Sequence, residues 1–580
     1  MANLKDLGKV YTSDILIIGG GIAGLCTAIK AKETNPALDV LVVDKGSIGY
    51  AGQSGKAGNG ITGRLPHQNP QAMADYLVVN GGDYMNDQEF LLDYVSTNQE
   101  SLEFLDHCGV KLSKNEDGSI RVFPMPNDLW GCAGIELGSC FSLRDYALKV
   151  GVRLLDRVQL FELLTDKAGA VIGAIGFDCD KMKCQIFKAK AVAVATDGCY
   201  FKKVGGMFCG YGNGIASAYR VGALMRNAEF SCSVELVHKA NNEAVYGGFN
   251  LVHNKDGVNV SQVYAPNAEE TTPDLHIGLW KEVQEGRGPL YCDLRVLDDM
   301  SAHIGGMGHV NDGRMMADKL RWIGIEMAKA AQTGIQLGQT PEVTSRMYIQ
   351  GEFLRADREF KTNVEGLWAP GKISYQGSAY WGWVRGDGLG NGAQCGMRAG
   401  ASMAKFATEK AAVEPDYEQV KALKDKIYAP LNRPTTRKPK EVFDAMEQVV
   451  FHLDNVIVKS EKSIQAILDM IEELKKVIPE LTAEDAHTLA KCHDAADSLL
   501  CLEIVFRAAQ MRKETRGCVY RHIRTDYPER DNKNWLKWIN VKQGENGSME
   551  LFTEDIPMWR YPVRPEGYEI PEGHAEEYYV

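Results

Sequence analysis

The stretch from Ser13 to Asp44 limits what this chain can fold into more than any other part of it. Asp14-Ile15-Leu16-Ile17-Ile18 is short, apolar and rich in β-branched residues, the pattern of a buried parallel strand. Gly19-Gly20-Gly21-Ile22-Ala23-Gly24 follows at once, a G-x-G-x-x-G with Gly19, Gly21 and Gly24 at the fixed positions. The spacing predicts a helix over Leu25 to Thr34 and a second strand over Val40 to Val43, which ends on Asp44. Each glycine has a separate task. The first permits a tight strand-to-helix turn, the second lets a pyrophosphate approach the backbone, and the third lets the helix pack close to the sheet. The helix start offers free N–H groups and a partial positive charge to phosphates. Asp44 stands where an acidic side chain accepts hydrogen bonds from a ribose. With strand, turn, helix, second strand and acid all in register, the segment reads as a dinucleotide-binding unit.

A chain of 580 residues is expected to form more than one domain. Its 65 basic and 77 acidic side chains leave a net charge of −12. With no lysine- or arginine-rich tract either, non-specific nucleic-acid binding is not expected. Met1 to Thr12 is short and polar, and no run of apolar residues is long enough for a transmembrane helix. A cytoplasmic protein is the expectation. None of the 14 cysteines forms a C-x-x-C, so ligation of an iron–sulfur cluster by this chain is not expected. The 12 histidines include no H-E-x-x-H, and no metal site is inferred.

Further along, Lys45 to Gly63 is crowded with glycine, suited to a loop lying against a flat or charged ligand, with Ser54 and Asn59 as its hydrogen-bonding side chains. Residues 70–110 read as helical. Gly151 to Leu164 and Gly169 to Phe177 read as strands. Lys190 to Gly198 reads as a buried strand running into a tight turn, where open α/β sheets place ligands. Gly210-Tyr211-Gly212-Asn213-Gly214 opens a predicted helix from Ile215 to Ala228. From Glu229 to about Pro341 the pattern becomes irregular, as in an inserted domain that covers a substrate. Leu367 to Lys372 is a strand followed by a glycine turn. Gly386 to Gly392 is a third glycine-rich helix start, before a helix from Ala393 to Ala407. Ile464, Ile467, Leu468, Ile471, Leu474 and Ile478 recur at helical spacing, and Pro479 ends that helix. Thr482 with Asp485 resembles a capping box for the next one, which runs to about Arg512 as the second arm of a hairpin. Tyr527 to Val580, rich in tryptophan, tyrosine and proline, suits docking on a partner or wrapping back on its own chain.

These segments occur in an order that resembles the fumarate reductase and succinate dehydrogenase flavoprotein family. Asn432 to Thr436, Arg512 to Arg516 and Asp526 to Trp535 resemble the α subunit of adenylylsulfate reductase in the same group. The resemblance implies an α/β fold: a Rossmann-type FAD-binding domain (1–230 and 351–412), an inserted α+β capping domain (231–350), and a C-terminal helical domain with its tail (413–580). It implies FAD as cofactor. Gly19, Gly21, Gly24 and Asp44, with Lys45 beside it, take the ADP half, and Val158 meets adenine through its backbone. Ser54, Gly58 and Asn59 lie near the isoalloxazine. Ala195, Thr196, Gly198, Gly212 and Asn213 hold the ribityl and adenosine regions, with Gly371 and Lys372 at the late glycine turn. Gly388 and Leu389, followed by Asn391, present N–H groups to the flavin pyrimidine edge.

Several positions depart from the family pattern. Many relatives attach FAD covalently through a histidine in the loop that here reads Gln53-Ser54-Gly55-Lys56, so non-covalent FAD is expected. Gly388 stands where fumarate-type enzymes place a proton-donating arginine, with Arg385 three residues earlier. Lys372 replaces a family glutamate. His238, Lys239, Arg346, Tyr380, Trp383 and Arg385 are the candidate substrate-wall residues, Arg385 or Lys239 for binding an anion and Tyr380 for donating a proton. The expected function is electron exchange between a small polar or anionic substrate and a separate ferredoxin-like [4Fe-4S] β subunit, in a hetero-oligomer. The alternatives are adenylylsulfate reductase itself and a non-catalytic electron-carrier subunit.

Overall fold

The computed structural model describes residues 3–55, 59–125, 128–136, 138–201, 210–240, 252–264, 266, 273–292, 342–349, 351, 353–375, 386–450, 452–517 and 522–574. At its centre is a parallel sheet. In chain order its elements are β1 (Ile15–Ile18), the crossover helix α1 (Ile22–Thr34), β2 (Val40–Val43), β4 (Arg153–Leu155), β5 (Ala191–Val194) and β8 (Leu367–Trp368). Strand β3 (Asn59–Gly63) lies outside this sheet, and β6 (Cys232–His238) and β7 (Glu342–Ile349) pair with each other. The sheet order is β8-β5-β1-β2-β4, every pair parallel. All residues of β1, β2 and β5 are buried, as both faces of the sheet are covered.

Helix α1 is clamped by a later helix, α4 (Asp387–Glu409), which follows α2 (Gln88–His107) and α3 (Asn213–Arg220) in the chain. Gly392, Gly396 and Gly400 recur every fourth residue on the face of α4 that meets α1. A Cβ on Gly396 would lie 2.5 Å from the Ala23 carbonyl oxygen, and one on Gly400 would lie 2.4 Å from that of Thr27. The stripe of bare backbone lets two segments far apart in sequence close on the cofactor-binding turn.

The C-terminal part adds α5 (Glu461–Val477) and α6 (Ala486–Met511), an antiparallel pair. The cap of α6 differs from the sequence expectation: Asp485 is the N-cap and Thr488 its partner, while Thr482 bonds instead to the Pro430 carbonyl. The tail forms a hairpin, β9 (Lys537–Gln543) and β10 (Met549–Asp555), and β9 pairs with Met225–Arg226. The tail thus folds back on its own chain, with Trp538 buried and its indole N–H donating to the Met85 carbonyl at 2.9 Å.

Other element boundaries also move. The helix expected over Ile215 to Ala228 stops at Arg220, because Met225–Arg226 is taken into that sheet with the tail. Helix α4 starts at Asp387 rather than Ala393, its glycines being required by packing. Residues 70–110 form two helices, Pro70–Asn80 and α2, broken at Gly81-Gly82. Among the described residues no helix is long and apolar enough to cross a membrane, and no His/Cys/Asp/Glu group could hold a metal ion.

Candidate functional site

The C-terminal ends of β1, β2, β5 and β8 lie side by side and turn into the loops that carry most of the candidate cofactor residues. Gly19 has φ +114°, and a Cβ there would strike the Ala195 carbonyl oxygen at 2.4 Å, so the turns after β1 and β5 are in contact. A Cβ on Gly24 would lie 1.9 Å from the Gly19 carbonyl oxygen, so this residue lets α1 pack onto its own turn. Gly21 is different. Among the described residues its Cβ would approach only the Ser54 hydroxyl, at 2.8 Å, which leaves its backbone open to a ligand. Ser54 itself accepts the Ile22 N–H at 3.0 Å, at the start of α1.

Asp44 is set by the turn it serves. Its Oδ2 accepts the Gly20 N–H and its Oδ1 the Gly46 N–H, both at 2.7 Å. The carboxylate is thereby fixed at the end of β2, with lone pairs left over for a ribose. The Val158 N–H is engaged by the Asp44 carbonyl at 2.9 Å, so only its carbonyl and side chain remain for an adenine. Lys45 is exposed, with its ammonium 5.2 Å from the centre of the Tyr211 ring.

Beyond β5 and β8, three loops converge on Lys372. Its ammonium donates to Gln53 Oε1 at 2.9 Å and to the Tyr200 hydroxyl at 2.8 Å, and lies 3.9 Å from Asp197 Oδ1. The Tyr200 hydroxyl donates to Asp197 Oδ1 at 2.6 Å, and the same oxygen accepts the Gly198 N–H. Thr196 Oγ1 and Asp197 Oδ2 are buried and lack a hydrogen-bond partner among the described residues. Unpaired buried polar atoms are costly, and a bound group supplying donors here would satisfy them. Together with the open backbone at Gly21 they fit an elongated, phosphate-bearing ligand along this edge.

Other candidate residues face the protein. The Asn213 amide donates to Asp497 Oδ2 at 2.8 Å and accepts from Gln159 Nε2 at 3.3 Å, tying α3 to α6. Gly212, with φ +75°, packs against Cys501 and Cys199. Gly371, with φ +89°, packs against Ala23. Leu389 is buried, and Asn391 accepts from the Cys395 thiol within α4.

Of the substrate-wall candidates, Lys239 is exposed and ion-paired with Glu342 at 2.5 Å. His238 stands opposite Val343, and Arg346 opposite Glu235, three rungs away on the same strand pair. Tyr380, Trp383 and Arg385 lie outside the described residues, as does Gly58; Asn59 begins β3.

Sequence reasoning missed the acidic partners on α6. Asp494 and Asp497, one helical turn apart, reach Gln159 and Asn213, and Asp497 also takes Arg220 at 2.7 Å. Burial pushes the Asp497 carboxyl up to about 6, with Arg220 opposing it. It also missed Tyr94 and Asp387, which meet between α2 and α4.

Residues 14–237 match the sequence pattern described as "FAD binding domain", and residues 444–568 that described as "Fumarate reductase flavoprotein C-term". The chain is a flavoprotein of the fumarate reductase–succinate dehydrogenase family. Its cofactor is FAD, and members of this family are FAD-dependent oxidoreductases. The flavoprotein is 24% identical to a fumarate reductase (CoM/CoB) subunit of Methanothermobacter marburgensis, over 90% of this chain and 95% of that one. It is also 24% identical to the 8-methylmenaquinol:fumarate reductase flavoprotein subunit of Wolinella succinogenes, over 96% and 93%. In fold it is similar to E. coli quinol fumarate reductase, with TM-score 0.80 and 20% identity over 94% of this chain and 97% of that one. It is similar in the same way to adenylylsulfate reductase of Archaeoglobus fulgidus, with TM-score 0.77 and 22% identity over 95% and 97%.

Proposed function

We propose that this flavoprotein is the catalytic subunit of an oxidoreductase that exchanges electrons between a small, polar, anionic substrate and a separate ferredoxin-like iron–sulfur subunit. The observation that carries this reading is the convergence of Gln53, Asp197, Tyr200 and Lys372 at the C-terminal edge of the sheet, beside the open backbone of Gly21. Such an edge holds a cofactor by fixed groups and leaves its reactive end to a substrate. The names of the two relatives, each one subunit of a fumarate reductase, support a hetero-oligomer.

FAD, when bound, supplies the redox chemistry. The chain's own residues do the rest. The open backbone of Gly21, at the start of α1, would face the diphosphate. Asp44, braced by two N–H groups, receives ribose hydroxyls. Thr196 Oγ1 and Asp197 Oδ2, which lack partners among the described residues, would gain them. Lys372 would place a cation beside the bound group, where it would favour added negative charge. The loop Gln53-Ser54-Gly55-Lys56, where many relatives carry a linking histidine, contains none, so the cofactor is held without a covalent bond. Acid precipitation of the yellow protein is expected to leave FAD in the supernatant; flavin retained in the pellet would refute non-covalent attachment.

The substrate reading is tested by reducing the FAD-loaded protein and mixing it anaerobically with unsaturated dicarboxylates or with adenylylsulfate. Reoxidation of the flavin by a dicarboxylate, or by adenylylsulfate with release of sulfite, identifies the class. Full reduction by an iron–sulfur donor, with no small-molecule oxidant accepted, would overturn the catalytic reading in favour of an electron carrier.

A further inference from the structure

The start of α4 holds a buried acid that nothing in the cofactor-binding scheme uses. Asp387 is the first residue of this helix and is 5% exposed. Its Oδ1 accepts the Tyr94 hydroxyl, from α2. Its Oδ2 is buried and has no hydrogen-bond partner among the described residues. The next residue, Gly388, is exposed, and among the described residues a Cβ built on it meets no atom within 4 Å. Every other α4 glycine would make contact. A Cβ on Gly386, just before the helix, would lie 2.5 Å from Ile61 Cα, and one on Gly390 would lie 3.6 Å from the Tyr94 hydroxyl. Among the described residues the acid therefore sits one residue from an open mouth, at a helix start whose free N–H groups favour negative charge. Behind Tyr94 on the same face of α2 stand Asn98 and Ser101. Both are 1% exposed, and the Asn98 amide and Ser101 hydroxyl atoms lack partners among the described residues. This is a polar trail through an otherwise closed helix interface, suited to buried water.

We propose that Asp387, held by Tyr94, is the acid that gives and takes a proton at the mouth of α4 beside Gly388. The transfer moves no electrons. The Oδ2–H bond breaks, a bond to hydrogen forms on the acceptor in the mouth, and a carboxylate remains. That carboxylate is stabilised by the Tyr94 hydroxyl and the helix start, and is reprotonated along the Asn98–Ser101 trail. Burial pushes the Asp387 carboxyl up to about 7, against the opposing Tyr94 hydrogen bond, which suits proton exchange near neutral pH. Among the described residues, the other titratable or charged groups near it are engaged elsewhere or neutral. Asp93 of α2 pairs with Arg398 and Arg358 at 3.4 Å each, and Glu89 pairs with Arg358 at 3.0 Å and Arg560 at 2.6 Å. Cys395 of α4 is a buried thiol whose burial raises its pKa, and the residues of β3 carry no charge.

The inference rests on FAD lying along this edge, and the test separates the two claims. Wild type, Asp387→Asn, Asp387→Glu and Tyr94→Phe are loaded with FAD, and absorbance reports loading without reference to turnover. The flavin midpoint potential is then measured against pH. Wild type is expected to change slope near pH 7, and Asp387→Asn to lose that change. Asp387→Glu is expected to keep it, and Tyr94→Phe to move it upward because a bond to the carboxylate is lost. A yellow Asp387→Asn protein with the wild-type slope change overturns the proposal. If that variant takes up no flavin, a Tyr94→Phe slope change at the wild-type pH overturns it instead. The oxidised-minus-reduced infrared spectrum of wild type alone must show a change in a protonated-carboxyl C=O band, and its absence is equally fatal. A wild type that stays colourless with FAD would break the cofactor assignment rather than this inference.

Discussion

Two regions of the molecule exclude water equally well and do so by opposite means. The central sheet is closed by apolar residues: the side chains of β1, β2 and β5 are all aliphatic and buried. The junction between α6, the tail and the Glu229 turn is closed by charge. Arg512 donates to Glu229 at 2.7 Å, to Glu514 at 2.9 Å and to the carbonyls of Trp535 and Lys537. Arg516 makes two bonds to Glu514 and one to the Asp83 carbonyl. The side chains of Arg512, Glu514 and Arg516 have no exposure at all. An apolar core gains from contact area and tolerates shape changes in proportion to volume. A buried ionic lattice holds only while every member is paired, since one lost partner strands a charge in low dielectric. The sheet can therefore drift under substitution, whereas the lattice fixes the geometry of the segments that meet there.

The sharpest break of this contrast is Glu514→Gln. The change is nearly isosteric, yet it leaves Arg512 and Arg516 sharing too little negative charge, and a loss of about 3–5 kcal/mol in denaturant unfolding is expected. A loss below 1 kcal/mol would mean the lattice is not a unit. Next comes Ile17 in β1. Ile17→Ala should cost roughly 2–5 kcal/mol and Ile17→Val only about 0.5–1.5 kcal/mol, graded with the volume removed. A conservative change costing as much as a drastic one would erase the distinction between the two regions.

A smaller effect depends on pH. Asp387 is raised to about 7 and Asp497 to about 6, each by burial. The unfolded chain binds those protons only near the ordinary carboxylate range of about 4. The stabilisation is complete below that range and is lost as pH rises through about 6 to 7, because the folded state holds more protons there. Asp387→Asn should flatten this part of the stability profile, which thermal unfolding at several pH values would read. The smallest effect belongs to the surface. Lys440 and Asp444 pair at 2.5 Å on an exposed helix face, and Lys440→Ala should change stability by less than about 1 kcal/mol.

What could be read from the chain follows from the range of the interactions. The turn from β1 into α1 and the strand β2 were legible because glycine spacing and β-branched runs act within a few residues. The early start of α4 was hidden, since its glycines read as a loop until α1 is placed against them. Nothing local in the tail decides between docking and wrapping back, because the strand it pairs with, Met225–Arg226, carries no alternation long enough to recognise. At the site, Asp44 and the glycine turns stood out, while Tyr94 meeting Asp387 across 293 residues, and Asn213 meeting Asp497 across 284, leave no local pattern.

The hairpin at the end of the chain has a consequence for synthesis. Arg226 is 4% exposed, and its guanidinium bonds to Asn540 at 3.1 Å and Glu554 at 2.5 Å beneath the Trp538 ring. Those partners leave the ribosome more than 300 residues later. Until then a cation destined for the interior waits in water, and its sheet has an open edge for other chains to join. Closure of this sheet thus comes late in synthesis, and a polypeptide truncated before Trp538 should be handled by the cell as an unfinished one.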